Sequence, residues 1–189
     1  MAEGKSIEVF FSYAHEDEGL RDELAKHLSM LKRDGVISSW YDREITAGSE
    51  WAGEIDEHLN TAQIILLLVS SDFLASDYCY DVEMGRAIER HNADEARVIP
   101  IILRDVDWQG APFAKLQALP KNAKPITSWK NLDEAFADVV RGIRRAIASL
   151  IAQKDSKSDN IPVRAMRDAK TVEEPTTNDF FRWTLHQKK

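Results

Sequence analysis

The residues Ile64 to Val69 are the feature that most narrows the fold, because six apolar side chains follow one another without a break. A strand with one buried face alternates apolar and polar residues, and this run has no polar position. An unbroken apolar strand is typical of a parallel sheet that helices cover on both faces. The run is also far shorter than the roughly 20 residues that a membrane-spanning helix needs. We therefore expect a buried strand in an α/β domain, and no membrane partner.

Strand and helix patterns alternate on both sides of this run. Further strands are predicted at Ile7 to Phe11, Val36 to Tyr41, Val98 to Leu103 and Lys124 to Ser128. Together with Ile64 to Val69 they predict an open, doubly wound α/β fold: a parallel five-stranded sheet in flavodoxin-like order with helices on both faces. Ligands of such sheets bind beyond the carboxyl ends of the strands.

Helices are predicted where apolar residues recur every three or four positions. The segments are marked by Leu20, Leu24, Leu28 and Leu31, by Trp51, Ile55 and Leu59, by the stretch Asp77 to His91, and by a long final helix from Leu132 to Leu150. Gly35 is expected to end the first of them in a left-handed conformation. Pro100 has no N–H to donate, which predicts a bulge or a strand start at that point.

The composition changes past Ala152. Residues 5–152 are predicted to form one domain, and residues 153–189 a flexible tail. From Lys154 to Lys189 there are eight basic and six acidic residues, a net charge of +2 in a chain of −7. The tail contains an aromatic patch of Phe180, Phe181, Trp183 and Leu185. These side chains either fold back onto the domain or dock a protein partner or a neighbouring subunit, and the sequence does not decide between these alternatives.

Charge and cysteine content exclude several function classes. With 32 acidic against 25 basic residues, the chain is a poor ligand for nucleic acid or an anionic membrane. Cys79 is the single cysteine, so neither a disulfide within the chain nor a zinc site built on several thiolates is expected. The five histidines form no ligand cluster in the sequence, and we expect no metal and no bound cofactor. The first residues lack the long apolar run of a signal peptide, so a cytoplasmic location is expected.

Common catalytic and phosphate-binding motifs are absent from the sequence. There is no G-x-G-x-x-G, no G-x-x-x-x-G-K-[ST], no G-x-S-x-G and no H-E-x-x-H. A phosphoacceptor receiver domain would place an aspartate at the end of the third strand. Here Val69 is followed by Ser70 and Ser71, and we reject that interpretation.

Three motifs lie at the ends of the first two predicted strands and at the start of the helix after the third. They are Phe10-Phe11-Ser12-Tyr13, then Trp40-Tyr41-Asp42-Arg43-Glu44-Ile45 with its loop to Trp51, and Ser76-Asp77-Tyr78-Cys79-Tyr80-Asp81-Val82-Glu83. In this order they resemble a TIR domain, the Toll/interleukin-1 receptor module, and are most similar to its bacterial members. The resemblance covers roughly Lys5 to Ala152.

This resemblance implies one of two functions. Some TIR domains cleave NAD+ between ribose and nicotinamide, and in bacteria such an enzyme acts in immune signalling or NAD depletion. Others are non-catalytic scaffolds that recruit partners through TIR–TIR contacts. In the family, the loop equivalent to Arg43 to Glu50 contacts neighbouring subunits and gates the pocket, which implies a homo-oligomer whose assembly raises activity.

Glu83 is the candidate catalytic residue. The family often has Trp-Cys with a glutamate three residues on, whereas here Glu83 stands four residues after Cys79, with Asp81 between them. On an α-helix, residues four apart lie about 40° apart and residues two apart roughly 200°, so Glu83 rather than Asp81 shares a face with Cys79. The alternative is a solvated Glu83 that pairs with Arg86 or Arg90.

Candidate NAD+-binding residues surround the same strand ends. Phe11, Ser12, Tyr13 and His15 lie where the first loop can offer backbone donors and an aromatic wall. Arg43 can bind a pyrophosphate with two hydrogen bonds, and Trp51 can stack on a flat ring. The alternatives are that Tyr13 and Trp51 are core aromatics, that Arg43 pairs with its acidic neighbours on the surface, and that His15 is merely solvated.

Overall fold

A computed structural model describes residues 6–40 and 57–158. Within these residues, four strands form one parallel sheet. They are β1 Ile7–Ser12, β2 Ile37–Trp40, β3 Ile64–Val69 and β4 Arg97–Ile102. Their order is β2-β1-β3-β4, and every pairing is parallel. The doubly wound α/β fold is confirmed, with one strand fewer than predicted.

The apolar run Ile64–Val69 forms the buried centre of the sheet. Each of its six side chains is 0% exposed. It pairs with β1 on one side and with β4 on the other, so that Leu66 lies between Phe11 and Ile99. The absence of any polar position in β3 is explained, because both faces of the strand are covered.

Six α-helical segments and several tighter or wider turns connect and follow the strands in the described residues. The helices are α1 Glu18–His27, α2 Ser29–Arg33, α3 Ser71–Ala75, α4 Gly85–Asn92 and α5 Leu132–Ser158, and residues 57–61 are also helical. A π-helix spans Tyr78–Met84, and 3₁₀ turns span His15–Asp17, Lys121–Ala123 and Ile126–Ser128.

The first predicted helix is divided into α1 and α2, which meet at Leu28. Leu24, Leu28 and Leu31 are buried as their spacing predicts. Gly35 has φ +68°, and its N–H donates to the carbonyl of Lys32 at 3.1 Å. The expected left-handed ending is therefore confirmed, since glycine adopts positive φ without a steric penalty.

Two strand predictions are wrong. Lys124 to Ser128 is not a fifth strand, because Ile126–Ser128 is a 3₁₀ turn and Pro125 has no N–H for a ladder. Pro100 marks neither a bulge nor a strand start; it lies inside β4, in register with Leu67. The N–H of Ile102, two residues on, points away from β3 towards Leu119, so the nitrogen of Pro100 faces that same outer side, where a missing donor costs little.

The chain divides into two units after Ala148. The predicted tail beyond residue 158 lies outside the described residues and stays a prediction, as do Tyr41, the loop Arg43 to Glu50 and the helix around Trp51. None of the described helices is both long and apolar enough to cross a membrane.

Candidate functional site

The carboxyl end of β1 lies beside that of β3, because the two strands are parallel neighbours. Ser12 is the last residue of β1 and is paired in register with Leu67 of β3. Its side chain is 0% exposed. After β3 the chain forms α3 and then the π-helix, which returns buried side chains to the end of β1. Two strand ends and one helical segment therefore meet at Ser12.

The helix predicted from Asp77 to His91 begins as the π-helix Tyr78–Met84 and continues as α4. In this wider turn Cys79, Glu83 and Met84 are buried, whereas Asp81 is exposed. Hydrogen bonds in a π-helix run from residue i to i+5, and such turns occur frequently at functional sites. Of the two acids considered, Glu83 is therefore the one on the buried side with Cys79.

Glu83 is a buried carboxylate that the end of β1 holds in place. Only 6% of the residue is exposed. The hydroxyl of Ser12 donates to Glu83 Oε2 at 2.5 Å, a length typical of a hydroxyl that donates to a carboxylate. Removing a carboxylate from water is costly unless such donors replace the lost hydration. Glu83 is therefore not the solvated residue on the helix surface that was considered as the alternative.

Cys79 forms a second link between the π-helix and the first loop. Its thiol donates to the backbone carbonyl of Tyr13 at 3.4 Å, and its N–H donates to Ser76 Oγ at 3.2 Å. Burial, with a smaller contribution from the nearby Glu83 carboxylate, raises the pKa of the Cys79 thiol to about 11. The thiol is consequently protonated at neutral pH, which makes it a poor nucleophile. Cys79 packs and anchors the site.

The other predicted NAD+-binding residues have different environments. Phe11 is 2% exposed within the sheet, and Tyr13 is 9% exposed with the guanidinium of Arg21 located 4.7 Å from its ring centroid. The packing alternative thus describes the ring of Tyr13. His15 is exposed at the start of the turn His15–Asp17. Arg43 and Trp51 lie outside the described residues, so their roles stay predictions.

Sequence reasoning missed a polar cluster beside the site. Asp17, Ser70, Asp72 and Arg104 come together at the carboxyl ends of β1, β3 and β4, and we call them the strand-end cluster. Ser70 donates to the buried carboxylate of Asp17, which also pairs with Arg104 at 2.7 Å. Arg104 also pairs with Asp72. A search for charged residues just after every predicted strand would have included Arg104, which follows β4.

Comparison with known proteins identifies the family. The sequence profile of the TIR domain matches residues 9–140, which include the end of β1, the π-helix and the strand-end cluster. The uncharacterized protein y4lF of Sinorhizobium fredii is 63% identical over 138 residues, which make up 73% of this chain and 43% of that protein. The chain thus matches less than half the length of this bacterial relative.

A solved structure agrees with the fold. The TIR domain of the Toll-related receptor TRR-2 from Hydra magnipapillata superposes with a TM-score of 0.51. The match has 22% sequence identity and covers 74% of this chain and 97% of that domain. At this identity the likeness concerns the arrangement of strands and helices alone. With the sequence profile matching most of the chain, these comparisons show that the protein belongs to the TIR domain family.

Proposed function

We propose that the protein cleaves NAD+ at the bond between ribose and nicotinamide, with Glu83 as the catalytic residue. The observation that carries this proposal is the buried Glu83 carboxylate, held by Ser12 at the carboxyl ends of two parallel strands. Ligands of doubly wound sheets bind at this edge. Membership of the TIR family supports the choice of substrate, since some members have this activity.

The reaction needs little from the protein beyond one placed negative charge. The C1′–N bond breaks, nicotinamide leaves as a neutral molecule with the bonding electron pair, and the ribose carbon acquires oxocarbenium character. A carboxylate stabilises such a cation, as in glycoside hydrolysis. Attack by water at C1′ then yields ADP-ribose and a proton, while attack by another hydroxyl or ring nitrogen yields a cyclic or transferred product. No general acid is required.

Ser12 has a distinct role in this scheme. Because its hydroxyl donates to Glu83 Oε2, it fixes the orientation of the carboxylate before substrate arrives. A preorganised charge stabilises a transition state without reorganising during the reaction. We assign Glu83 to electrostatic stabilisation and to the ribose hydroxyls, and Ser12 to holding Glu83.

The remaining contacts to the dinucleotide are proposed from the resemblance. Phe11 and Ser12 end β1, and Tyr13 and the exposed ring of His15 lie on the loop that follows. Arg43 would bind the pyrophosphate and Trp51 would stack on a ring of the substrate. Self-association through TIR–TIR contacts, a role in bacterial immune signalling and a protein partner for the tail are proposals of the same kind.

Chromatography of NAD+ incubated with concentrated full-length protein tests the function. The proposal predicts nicotinamide release by the wild type and none above background by Glu83→Ala, provided that the variant retains its circular dichroism spectrum. Equal release by both proteins would remove Glu83 from the mechanism. Release by neither would favour the scaffold interpretation, in which the domain only recruits partners.

A further inference from the structure

The strand-end cluster links segments that lie next to the candidate site. Its four residues have no role in the proposed reaction. Asp17 lies on the loop after β1, Ser70 and Asp72 lie at the start of α3, and Arg104 follows β4. These are the carboxyl ends of three adjacent parallel strands. The four side chains therefore come from three segments of the sequence, each of which follows a different strand.

Asp17 is the buried carboxylate of the cluster, and its partner Ser70 is buried as well. Its side chain is 1% exposed. It accepts a hydrogen bond from the Ser70 hydroxyl and pairs with Arg104 Nη2 at 2.7 Å. Ser70 Oγ also accepts from the N–H of Phe73 at 3.1 Å, so the same hydroxyl caps α3 and holds Asp17. A carboxylate at this depth persists because both partners replace its lost hydration.

Arg104 extends this link across the cluster. The nitrogen Nη2 that contacts Asp17 also contacts Asp72, so one guanidinium joins the loop after β1 to α3. Within the described part of the chain, Arg104 Nε is buried and makes no hydrogen bond. The hydrogen bond to Asp72 and the charges of both carboxylates raise the pKa of Arg104. The side chain is thus a permanently charged bridge between two segments.

Those two segments adjoin β1 and the π-helix, the two elements that meet at the candidate catalytic residue. The loop that contains Asp17 begins with Tyr13, directly after Ser12, and the π-helix with Cys79 and Glu83 begins soon after α3 ends. We propose that Arg104 is a positioning residue, which holds the loop after β1 and α3 together and thereby sets the alignment of Glu83 with Ser12. Its kinetic consequence rests on the proposed function, whereas its structural consequence does not.

The first test measures how fast a disulfide reagent, 4,4′-dithiodipyridine, labels Cys79 in the native full-length protein. Cys79 is the single cysteine of the chain, and it bonds to the loop that Arg104 holds, so its labelling reports on this contact. We expect Arg104→Met to label about tenfold faster, since opening of the loop exposes the thiol. Arg104→Lys keeps a charged nitrogen for the two carboxylates and should label within about threefold of the wild type.

A matched control separates this role from the loss of any arginine ion pair. Arg141→Met removes an arginine that pairs with Asp138 on α5, and its labelling rate should equal that of the wild type. Labelling of Arg104→Met should be nearly independent of urea below the unfolding transition, because local opening exposes little surface. A rate that rises with urea throughout would show that Arg104 only stabilises the whole fold, and would overturn the proposal.

A second variant covers the case in which Arg104→Met does not fold. Asp72→Asn removes the half-exposed carboxylate and leaves the pair between Arg104 and Asp17 intact. We expect it to fold and to label Cys79 a few times faster than the wild type. If folded Asp72→Asn labels Cys79 at the same rate as the wild type, the proposal is contradicted.

The kinetic test uses nicotinamide release from NAD+. In Arg104→Met, kcat should fall at least about tenfold with KM nearly unchanged, because misalignment of Glu83 weakens the transition state rather than substrate binding. Arg104→Lys should restore most of kcat. A loss confined to KM, or no rescue by lysine, would overturn the positioning role. If the wild type releases no nicotinamide, the proposed function fails, and the labelling experiment still decides whether Arg104 holds the two segments.

Discussion

At the scale of single residues, the contact between Ser12 and Glu83 determines what the site can do. Glu83 is 6% exposed, and a buried carboxylate keeps a fixed orientation only if donors surround it; the Ser12 hydroxyl supplies one at 2.5 Å. The motif predicted both residues, but a sequence pattern contains no information about which side chain bonds to which. The contact depends on the tertiary arrangement that brings β1 and the π-helix together.

Replacing Ser12 by alanine should destabilise the protein by about 1–3 kcal/mol, because a buried carboxylate loses a donor and water cannot easily replace it. Urea denaturation measures this change. Ser38→Ala on β2 provides the control, since Ser38 is exposed and the substitution there should be nearly neutral. Equal unfolding free energies for the two variants would show that the hydroxyl of Ser12 contributes nothing to holding Glu83.

Cys79 gives the fold a dependence on alkaline pH. Its pKa is raised from 9.0 to about 11 in the folded state, mainly by burial, so above pH 9 the unfolded chain loses this proton before the folded chain does. The stabilisation is complete below pH 9 and is lost as pH rises towards 11. The unfolding free energy of the wild type should therefore fall relative to that of Cys79→Ala over this interval. Parallel pH profiles for both proteins would contradict the assignment.

At the scale of elements, the sequence predicted the strands better than the connections between them. Strand β3 can be predicted from the local run of apolar residues alone, and its predicted bounds are confirmed. The π-helix Tyr78–Met84 was predicted as part of an ordinary α-helix, because the spacing of Cys79 and Glu83 fits one face of either. The prediction of a fifth strand at Lys124 to Ser128 is wrong. The segment has a strand-like composition, but it contains Pro125, and tertiary contacts determine the structure of such short segments.

The contact between α5 and the segment after β4 depends on a glycine. A Cβ at Gly142 would lie 2.5 Å from Leu119 Cδ2, and Leu119 is buried at 8% exposure. Gly142→Ala should therefore destabilise the fold by about 1–3 kcal/mol through overpacking. The matched control is Gly19→Ala in α1, where nothing lies within 4 Å and the substitution should stabilise slightly. The two shifts in urea midpoint should have opposite signs; the same sign for both would refute this packing argument.

At the scale of the whole molecule, the sequence identified the sheet edge that carries the site but not the network that supports it. Glu83 belongs to the motif Ser76 to Glu83, and that motif indicates it as a candidate. Arg104 and Asp17 lie 87 positions apart, so their pairing at 2.7 Å follows from the neighbouring ends of parallel strands rather than from any local pattern. A partner so distant in sequence cannot be inferred from residue spacing.

Activity should depend on protein concentration, because the loop Arg43 to Glu50 is proposed both to contact a neighbouring subunit and to close over the substrate. We expect the specific rate of nicotinamide release to rise with concentration until assembly is complete. A dilution series tests this expectation. Light scattering on the same samples gives the molar mass, which measures assembly independently of activity. A specific activity that stays constant over a wide range of protein concentration, while the molar mass changes, would show that catalysis does not depend on assembly.

The most direct test of the central claim compares two acids on the same turn. Glu83 is buried against Ser12, and Asp81 is exposed two residues away, so Glu83→Gln and Asp81→Asn each remove one negative charge from the π-helix. We predict that Glu83→Gln lowers kcat/KM for NAD+ by about 100-fold or more, while Asp81→Asn stays within about threefold of the wild type. A similar kcat/KM for the two folded variants would contradict the claim that the buried carboxylate performs the chemistry.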